Sequence, residues 1–230
     1  MKRFWTTASV EAAQGGYGIA LDGRPVRTPG RRLLIVPQAR LAAALADEWR
    51  AVEGEINPGA MRLTGLANAA IERIAPNPAA FAAPLAAYAE SDLLCYRADG
   101  PPALVERQAA AWDPLLAWAR TRYDVAFVVT SGIIHCPQPP EMLARLAAAT
   151  AARAPFELAG LAPIVTITGS LVAGLALIEG AASAEAIWRA AQVDEDWQIE
   201  KWGDDDIAVQ ARMAHRAEFD AACRFLSLLD

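Results

Sequence analysis

Residues 16–28 read GYGIALDGRPVRT and contain the strongest turn signal in the chain. Asp22-Gly23 is typical of a two-residue β-hairpin turn, because both central positions of that turn adopt a positive φ. Gly16 to Leu21 and Arg24 to Thr28, on either side, are therefore predicted to form antiparallel strands. This hairpin argues against an all-helical fold.

Further short strands are predicted on both sides of the hairpin. Arg3 to Val10 precedes it, and Pro29-Gly30 marks another turn before a last strand at Arg32 to Val36. A meander of such short strands is marginally stable alone. The N-terminal strands are therefore expected to pack against other elements.

From residue 38 onward, apolar residues recur at helical spacing, as Leu41, Leu45 and Trp49 do. Ser183 is a candidate N-cap, and Gly203 is a candidate helix end. One further strand, Asp124 to Ile134, is a candidate for the N-terminal sheet. The predicted helices span residues 38–52, 61–74, 79–94, 103–123, 141–153, 163–179 and 184–202, and the acidic run at 204–206 opens a final helix to about 228.

The composition supports a helical majority. The chain of 230 residues contains 53 alanines, and alanine is the best helix former but a weak core filler. We predict a predominantly helical α+β protein. A small N-terminal antiparallel β-containing subdomain (residues 1–60) would pack on a larger multihelical domain (residues 61–230).

One long uncharged segment raises the question of a membrane span. Leu158 to Ile178 contains 21 residues without a charge, which is long enough to cross a bilayer. However, Pro163 and Gly169 interrupt it, and the flanking residues are acidic rather than basic. The segment is therefore predicted to be buried core, and no stable membrane insertion is expected.

Charge and composition exclude several classes of function. A net charge of -6 argues against broad nucleic-acid binding, which needs a clustered basic surface. Three cysteines without a CxxC motif argue against a disulfide framework, and two distant histidines argue against a histidine metal site. The sequence contains neither a P-loop nor a GxSxG elbow. No cofactor is expected.

The strongest local anomaly is an acidic segment at residues 194–206, which also contains Trp197 and Trp202. Only Lys201 opposes its acids, so the segment carries -6, while the rest of the chain balances 20 acids with 20 bases. The whole net charge of the protein is therefore found in this segment. Its carboxylates are those of Asp194, Glu195, Asp196, Glu200, Asp204, Asp205 and Asp206.

Three interpretations of the acidic segment are open. The acids could stabilise helix N-termini, since the helix dipole favours negative charge there. They could instead form a protein-recognition face, because tryptophan is frequent at binding hot spots and charge sets orientation and on-rate. A site for Mg²⁺ or Ca²⁺ is the weakest interpretation, because the acids lack the spacing of a known calcium loop.

A second acidic patch interrupts an otherwise apolar helix. Glu90 and Asp92 lie in the stretch Tyr88 to Arg97. A buried acid there would need a partner, such as an arginine. The patch is either a structural ion pair or a functional acid.

The segment WQIEKWGDD at 197–205 resembles the W-Q-x-E-x-W-G-x-D motif of the ATP-synthase assembly chaperones dedicated to the alpha subunit, which occur in mitochondria and alphaproteobacteria. Four more blocks match this family in the same order along the chain. They are Arg3-Phe4-Trp5 with DGRPVRTP at 22–29, Glu48-Trp49 with MRLTGLAN at 61–68, ESDLLCYR at 90–97, and Trp112-Asp113-Pro114.

The resemblance implies a function as well as a fold. Such chaperones bind the newly made alpha subunit of the ATP-synthase catalytic sector and hold it until the beta subunit replaces them, without enzymatic activity or nucleotide. Because such a chaperone needs a free binding face, a monomer is expected when the protein is free. The expected location is the bacterial cytoplasm or, for the eukaryotic relatives that the chain resembles, the mitochondrial matrix. With Trp202 as the anchor, the candidate partner-binding residues are Trp197, Glu200, Trp202, Asp204, Asp205, Asp206, Glu90, Asp92 and Trp49.

Two alternatives make different structural predictions. A carboxylate-dependent hydrolase using Glu90, Asp92 or the acidic segment at 194–206 would have a deep pocket with converging acids of raised pKa. A membrane-peripheral protein using Leu158 to Ile178 would expose an apolar face. The chaperone hypothesis predicts an open or convex acidic surface.

Overall fold

The computed structural model describes residues 2–230, which form two compact units. Within the described chain, unit 1 contains residues 2–78, 154–160 and 220–230, and unit 2 contains residues 79–153 and 161–219. The fold class is confirmed as a predominantly helical α+β protein with a small antiparallel sheet near the N-terminus. The boundary near residue 60 between a β-rich subdomain and a helical domain stays a prediction.

The sheet of unit 1 is built around the predicted hairpin. Strand β2 pairs antiparallel with β1, β3 and β4. Asp22 and Gly23, between β2 and β3, have φ values of 47° and 76°, as the hairpin turn requires. The strands are β1 (Ala8–Ala13), β2 (Gly16–Leu21), β3 (Arg24–Pro25) and β4 (Ile35–Val36).

Helix α1 (Ala39–Arg50) places its predicted apolar stripe in the core of unit 1. Leu41 and Leu45 are fully buried, and the half-buried Trp49 lies 5.3 Å from the Trp5 ring, between centroids. At the start of helix α2 (Arg62–Ala69), the Glu48 carboxylate accepts the N–H groups of Leu63 and Thr64, both at 2.8 Å. A carboxylate is stabilised there because the helix N-terminus leaves N–H groups unpaired.

Unit 2 is mainly helical. Trp112, on the long helix α4, is fully buried, and its Nε1 donates to the Ala190 carbonyl of helix α8 at 2.7 Å. Helices α3, α6 and α10 each contribute residues to both units. The helices after α2 are α3 (Pro78–Ala86), α4 (Pro102–Tyr123), α5 (Pro140–Ala151), α6 (Pro155–Thr168), α7 (Leu171–Ile178), α8 (Ala184–Ala191), α9 (Val193–Trp202) and α10 (Asp206–Ser227).

The apolar segment at 158–178 is divided between α6 and α7, so the prediction of one helix over 163–179 is wrong. Gly169 adopts φ +64°, and Ser170 starts α7 by accepting the Ala173 N–H at 2.9 Å. Glycine adopts this left-handed conformation at no steric cost, and serine is a preferred N-cap. In the part of the chain that the structure describes, no helix combines the length and apolarity that a membrane span needs.

Two other predicted helices are also interrupted. The helix predicted over 79–94 ends at Ala86 and continues as two 3₁₀ turns, Ala87–Ser91 and Leu93–Cys95. The helix predicted over 184–202 divides at Gln192 into α8 and α9. Its predicted ends are confirmed, because Ser183 accepts the Ala186 N–H at 3.2 Å and Gly203 follows Trp202 with φ +83°.

The strand predicted over 124–134 is mostly irregular. Only β6 (Thr130–Ser131) is extended and paired, and it pairs in parallel with β5 (Tyr96–Arg97), so the suggested place in the N-terminal sheet is wrong. Gln138 Oε1 accepts a hydrogen bond from the Val128 N–H at 2.9 Å, and Gln138 Nε2 donates one to the Val128 carbonyl at 2.8 Å. These are the groups that a longer strand would use for pairing.

Candidate functional site

The acidic segment lies in unit 2, along α9 and the start of α10. Trp202, at the end of α9, is 78% exposed, and Ile207, just after the acidic run, is 82% exposed. Gly203 turns the chain between the two helices, and Asp204, Asp205 and Asp206 follow it, all exposed. The segment therefore presents an open surface that combines large apolar side chains with carboxylates.

The acids of this segment divide into paired and unpaired groups. Asp194 accepts a hydrogen bond from Gln108 Nε2 at 2.6 Å, and Glu200 forms an ion pair with Arg107 at 2.7 Å. The hydrogen bond from Arg107 holds the pKa of Glu200 below its usual value. Asp196 forms an ion pair with Arg212.

The three aspartates at the start of α10 differ from these. Asp205 Oδ1 accepts the N–H groups of Ile207 and Ala208, each at 2.9 Å, which is helix capping. Among the described residues, neither Asp204 nor Asp206 has an ion-pair partner. Helix capping explains Asp205, and the helix dipole also favours Asp206 in the first turn of α10. The carboxylates of Asp204 and Asp206 are nevertheless exposed and available to a partner.

The two tryptophans of the segment have different environments. Trp197 is only 8% exposed, and its ring lies 4.9 Å from the Arg107 guanidinium carbon and 4.6 Å from Lys201 Nζ. Cations over an indole face are attracted by its quadrupole. Trp197 is therefore held in place, whereas Trp202 projects into solvent.

A groove of about 500 Å³ in unit 2 brings two distant sequence blocks together. Leu93, Tyr96 and Arg97 come from the block at 90–97, and Trp197 and Trp202 come from the block at 197–205. We call this the Trp197 groove. A third block supports it, because Asp113 pairs with Arg97 at 2.7 Å and the Trp112 ring lies 5.0 Å from the Arg97 guanidinium carbon.

Gln108, on α4, is a site residue that the sequence analysis did not identify. It is 1% exposed, its Oε1 accepts the Ala98 N–H at 2.8 Å, and its Nε2 donates to Asp194. It therefore connects the loop after β5 to α9, which both line the Trp197 groove. One signal was present in the sequence: Gln108 lies four residues from both Leu104 and Trp112, on the apolar side of the helix.

The remaining predicted residues lie elsewhere. Glu90 is exposed, while Asp92 is fully buried and accepts the N–H groups of Leu94 and Val172 at 3.1 and 3.0 Å. Burial raises the pKa of Asp92 to about 6, although these hydrogen bonds oppose the shift. No part of Asp92 is exposed to a partner in this conformation. Trp49 belongs to unit 1.

The acids do not form the arrangement that the hydrolase hypothesis predicts. A second groove of about 710 Å³ is lined by Asp196 and Glu200, but both form ion pairs with arginines, and the pKa of Glu200 is lowered rather than raised. Asp92, whose pKa is raised, is fully buried and lines neither of the two grooves. Within residues 2–230, no group of three or more His, Cys, Asp or Glu side chains could hold a metal ion.

Comparison with known proteins identifies the family. The sequence model of the ATP12 chaperone proteins matches residues 2–120, which is half of the chain. The chain belongs to the ATP12 chaperone family. The family expected from the sequence blocks is confirmed.

Solved structures agree with this membership. The chain is similar to Atp12 from Paracoccus denitrificans, with 42% identity and a TM-score of 0.92 over 100% of this chain and 98% of that chain. An aspartate-to-lysine mutant of the same P. denitrificans protein matches equally well. Atu1473 from Agrobacterium tumefaciens, a proposed chaperone, has 38% identity and a TM-score of 0.94 over 100% of this chain and 86% of that chain.

Proposed function

We propose that this ATP12-family protein binds the alpha subunit of the ATP-synthase catalytic sector and shields it until the beta subunit replaces it. One structural observation carries the proposal: the exposed Trp202 lies beside the unpaired carboxylates of Asp204 and Asp206. Membership of a chaperone family supports a binding protein rather than an enzyme. We expect a monomer when free, acting in the bacterial cytoplasm.

This surface has the properties that a holding chaperone needs. An exposed tryptophan supplies a large contact area, and carboxylates around it attract arginine or lysine on the partner. Release requires no chemistry, because a beta subunit that binds alpha more favourably displaces the chaperone. The absence of a lid over this surface in the described chain is compatible with such an exchange.

Within this proposal, the candidate residues have different roles. Trp202 is the anchor, and Asp204 and Asp206 are the charges that meet the partner. Trp197, Glu200 and Asp205 hold the surface in shape through the contacts described above. Glu90 is a further exposed acid, and Asp92 and Trp49 act indirectly, through the packing of their own units.

The proposal is tested by co-expressing the chain with the alpha subunit, and separately with beta, followed by size-exclusion chromatography. We expect a complex with alpha alone. Elution of the chain as a lone species beside soluble, folded alpha would contradict the proposal. A complex of equal stability with beta would contradict the specificity for alpha.

Trp202→Ala tests the anchor directly. Removing a central tryptophan from an interface typically costs 2 kcal/mol or more, so we expect affinity for alpha to fall about 30-fold or more. The matched control is Phe4→Ala, which removes another exposed aromatic, 66% exposed in unit 1. Titration calorimetry measures both, and equal affinity of Trp202→Ala and the unaltered protein would remove Trp202 from the site.

Charge reversal tests the acids. Asp204→Lys combined with Asp206→Lys should abolish the complex, while Glu218→Lys, an exposed acid on the same helix, should retain it. Circular dichroism checks the fold of each variant. Retention of the complex by the folded double variant would show that these carboxylates do not meet the partner.

A further inference from the structure

The Trp197 groove combines an apolar lining with two strongly exposed apolar side chains. Leu93, Leu104 and Trp197 line it, and so do Ile133 and Trp202, which are 99% and 78% exposed. Single exposed apolar side chains are normal, but apolar patches rimmed by polar residues often mark protein interaction sites or ligand-binding grooves. The groove is therefore a candidate binding site for an apolar side chain of a partner.

The lining of the groove includes exposed or half-buried carboxylates. Asp194 and Asp99 both line it. The hydrogen-bond partner of Asp194 is the neutral amide of Gln108, not a cation. The Asp99 carboxylate lies close to Gly132: a Cβ atom on Gly132 would be 3.2 Å from Asp99 Oδ2. Arg97 also lines the groove, but its side chain is 8% exposed and already paired with Asp113.

The groove is also held in shape before any partner binds. Gln108 connects its two sides, and the Gly132 N–H donates to the Arg97 carbonyl at 2.8 Å, which fixes the loop that carries Ile133. Arg107 and Lys201 both contact the Trp197 ring and restrict its position. A preformed site loses less conformational entropy on binding, so a short segment suffices to bind it.

We propose that the Trp197 groove binds a short segment of the client in which an aliphatic or aromatic side chain stands next to a lysine or arginine. The apolar side chain packs between Ile133 and Trp202, and the basic side chain meets Asp99 or Asp194. This inference rests on the proposed function and adds to it the chemistry of the bound segment. A client segment rich in Asp or Glu would be repelled by the same carboxylates.

Site-specific photo-crosslinking tests this inference. The photoreactive amino acid p-benzoylphenylalanine is placed at position 133 or, as a matched control, at position 134. Ile134 is the next residue and is 82% exposed, but it does not line the groove. After irradiation of the purified complex with the alpha subunit, we expect position 133 to crosslink to one segment that contains an apolar residue adjacent to Lys or Arg, and position 134 to crosslink far less.

Substitutions provide a second measurement. Ile133→Asp should weaken binding of alpha about 10-fold or more, because it adds a charge among apolar side chains and next to Asp99, whereas Ile134→Asp should have little effect. Equal effects of the two variants would overturn the groove as the binding site. Asp99→Lys should weaken binding as well, and unchanged binding would overturn the assignment of the basic side chain.

The outcomes separate the two proposals. If the complex with alpha forms but position 133 does not crosslink, or crosslinks to an acidic segment, the groove inference is overturned and the chaperone function stands. If the unaltered chain forms no complex with alpha, both are overturned. A complex that crosslinks at 133 and is weakened by Ile133→Asp supports both.

Discussion

Asp92 shows how burial and hydrogen bonding compete at one residue. Its carboxylate has no exposed surface, and it accepts the Leu94 and Val172 N–H groups, which belong to a 3₁₀ turn and to the first turn of α7. Hydrogen bonds of this kind lower a carboxyl pKa, but the loss of water raises it more, so the pKa of Asp92 lies at about 6. Asp92 therefore joins two elements at the cost of a charge in the interior.

This environment predicts a pH dependence of stability. Because the pKa of Asp92 is about 6 when folded and about 3.8 when unfolded, the folded state holds the proton more tightly. The stability from this residue is fully present below the unfolded pKa and is lost as pH rises through about 6. The quantity to measure by urea titration is the free energy of unfolding of Asp92→Asn minus that of the unaltered protein. We expect this difference to rise between pH 4 and pH 6.5.

Comparing the two proteins at each pH removes the contributions of other acids. Asp22 and Glu185, for example, have lowered pKa values and affect both proteins equally. A difference that is flat from pH 4 to pH 6.5 would show that Asp92 has the same pKa in the folded and unfolded states.

Among the helices of unit 2, the C-terminal end of α7 shows how several side chains join separate elements. Glu179 follows α7 and is hydrogen-bonded by Arg122 and Tyr123 at the end of α4 and by Arg153 after α5. Burial raises the pKa of Glu179, but the hydrogen bonds from Tyr123, Arg122 and Arg153 outweigh it, so the pKa lies below its usual value. One carboxylate therefore connects three helix ends.

Glu179→Gln tests this connection. The side chain is 13% exposed, and the change leaves two arginines without their carboxylate, so we expect a loss of about 2–3 kcal/mol in the free energy of unfolding. The control is Glu185→Gln, whose 49% exposed carboxylate pairs with Arg189 and Arg216. This change should cost far less, because solvent screens exposed ion pairs. Urea denaturation measures both, and equal losses would contradict a special role for Glu179.

For the whole molecule, the distribution of charge matters more than its sum. The net charge of -6 equals the charge of residues 194–206, but the structure pairs Asp196 and Glu200 with arginines. Asp204 and Asp206 are left exposed at the start of α10, beside Trp202. Long-range attraction of a basic partner therefore depends on a few carboxylates at one place.

Salt dependence tests this distribution. The Debye screening length falls from about 10 Å at 0.1 M salt to about 3 Å at 1 M. Because electrostatic attraction then acts over a shorter distance, the association rate with alpha should fall as salt increases. Asp204→Asn combined with Asp206→Asn should make this dependence shallower, while Glu218→Gln should leave it unchanged. Surface plasmon resonance measures the rates, and identical salt slopes for all three proteins would place the attraction elsewhere.

The sequence by itself determined the features that depend on neighbouring residues. The Asp22-Gly23 turn requires two positive φ angles, Ser183 and Gly203 satisfy helix ends, and both kinds of signal act within a few residues. The family could also be predicted, because its blocks are continuous stretches of sequence. The helical majority follows from composition and from 3.6-residue periodicity.

Only the tertiary structure decided the features that depend on distant residues. Trp197 and Trp202 are five positions apart on one helix, yet Arg107 covers the first and solvent surrounds the second. The pairing of β6 with β5 and the position of Gln108 between Ala98 and Asp194 likewise join residues far apart in the chain. A local sequence pattern indicates which side chains are apolar or charged. Whether a side chain is buried or paired depends on the distant residues that tertiary packing places in contact with it.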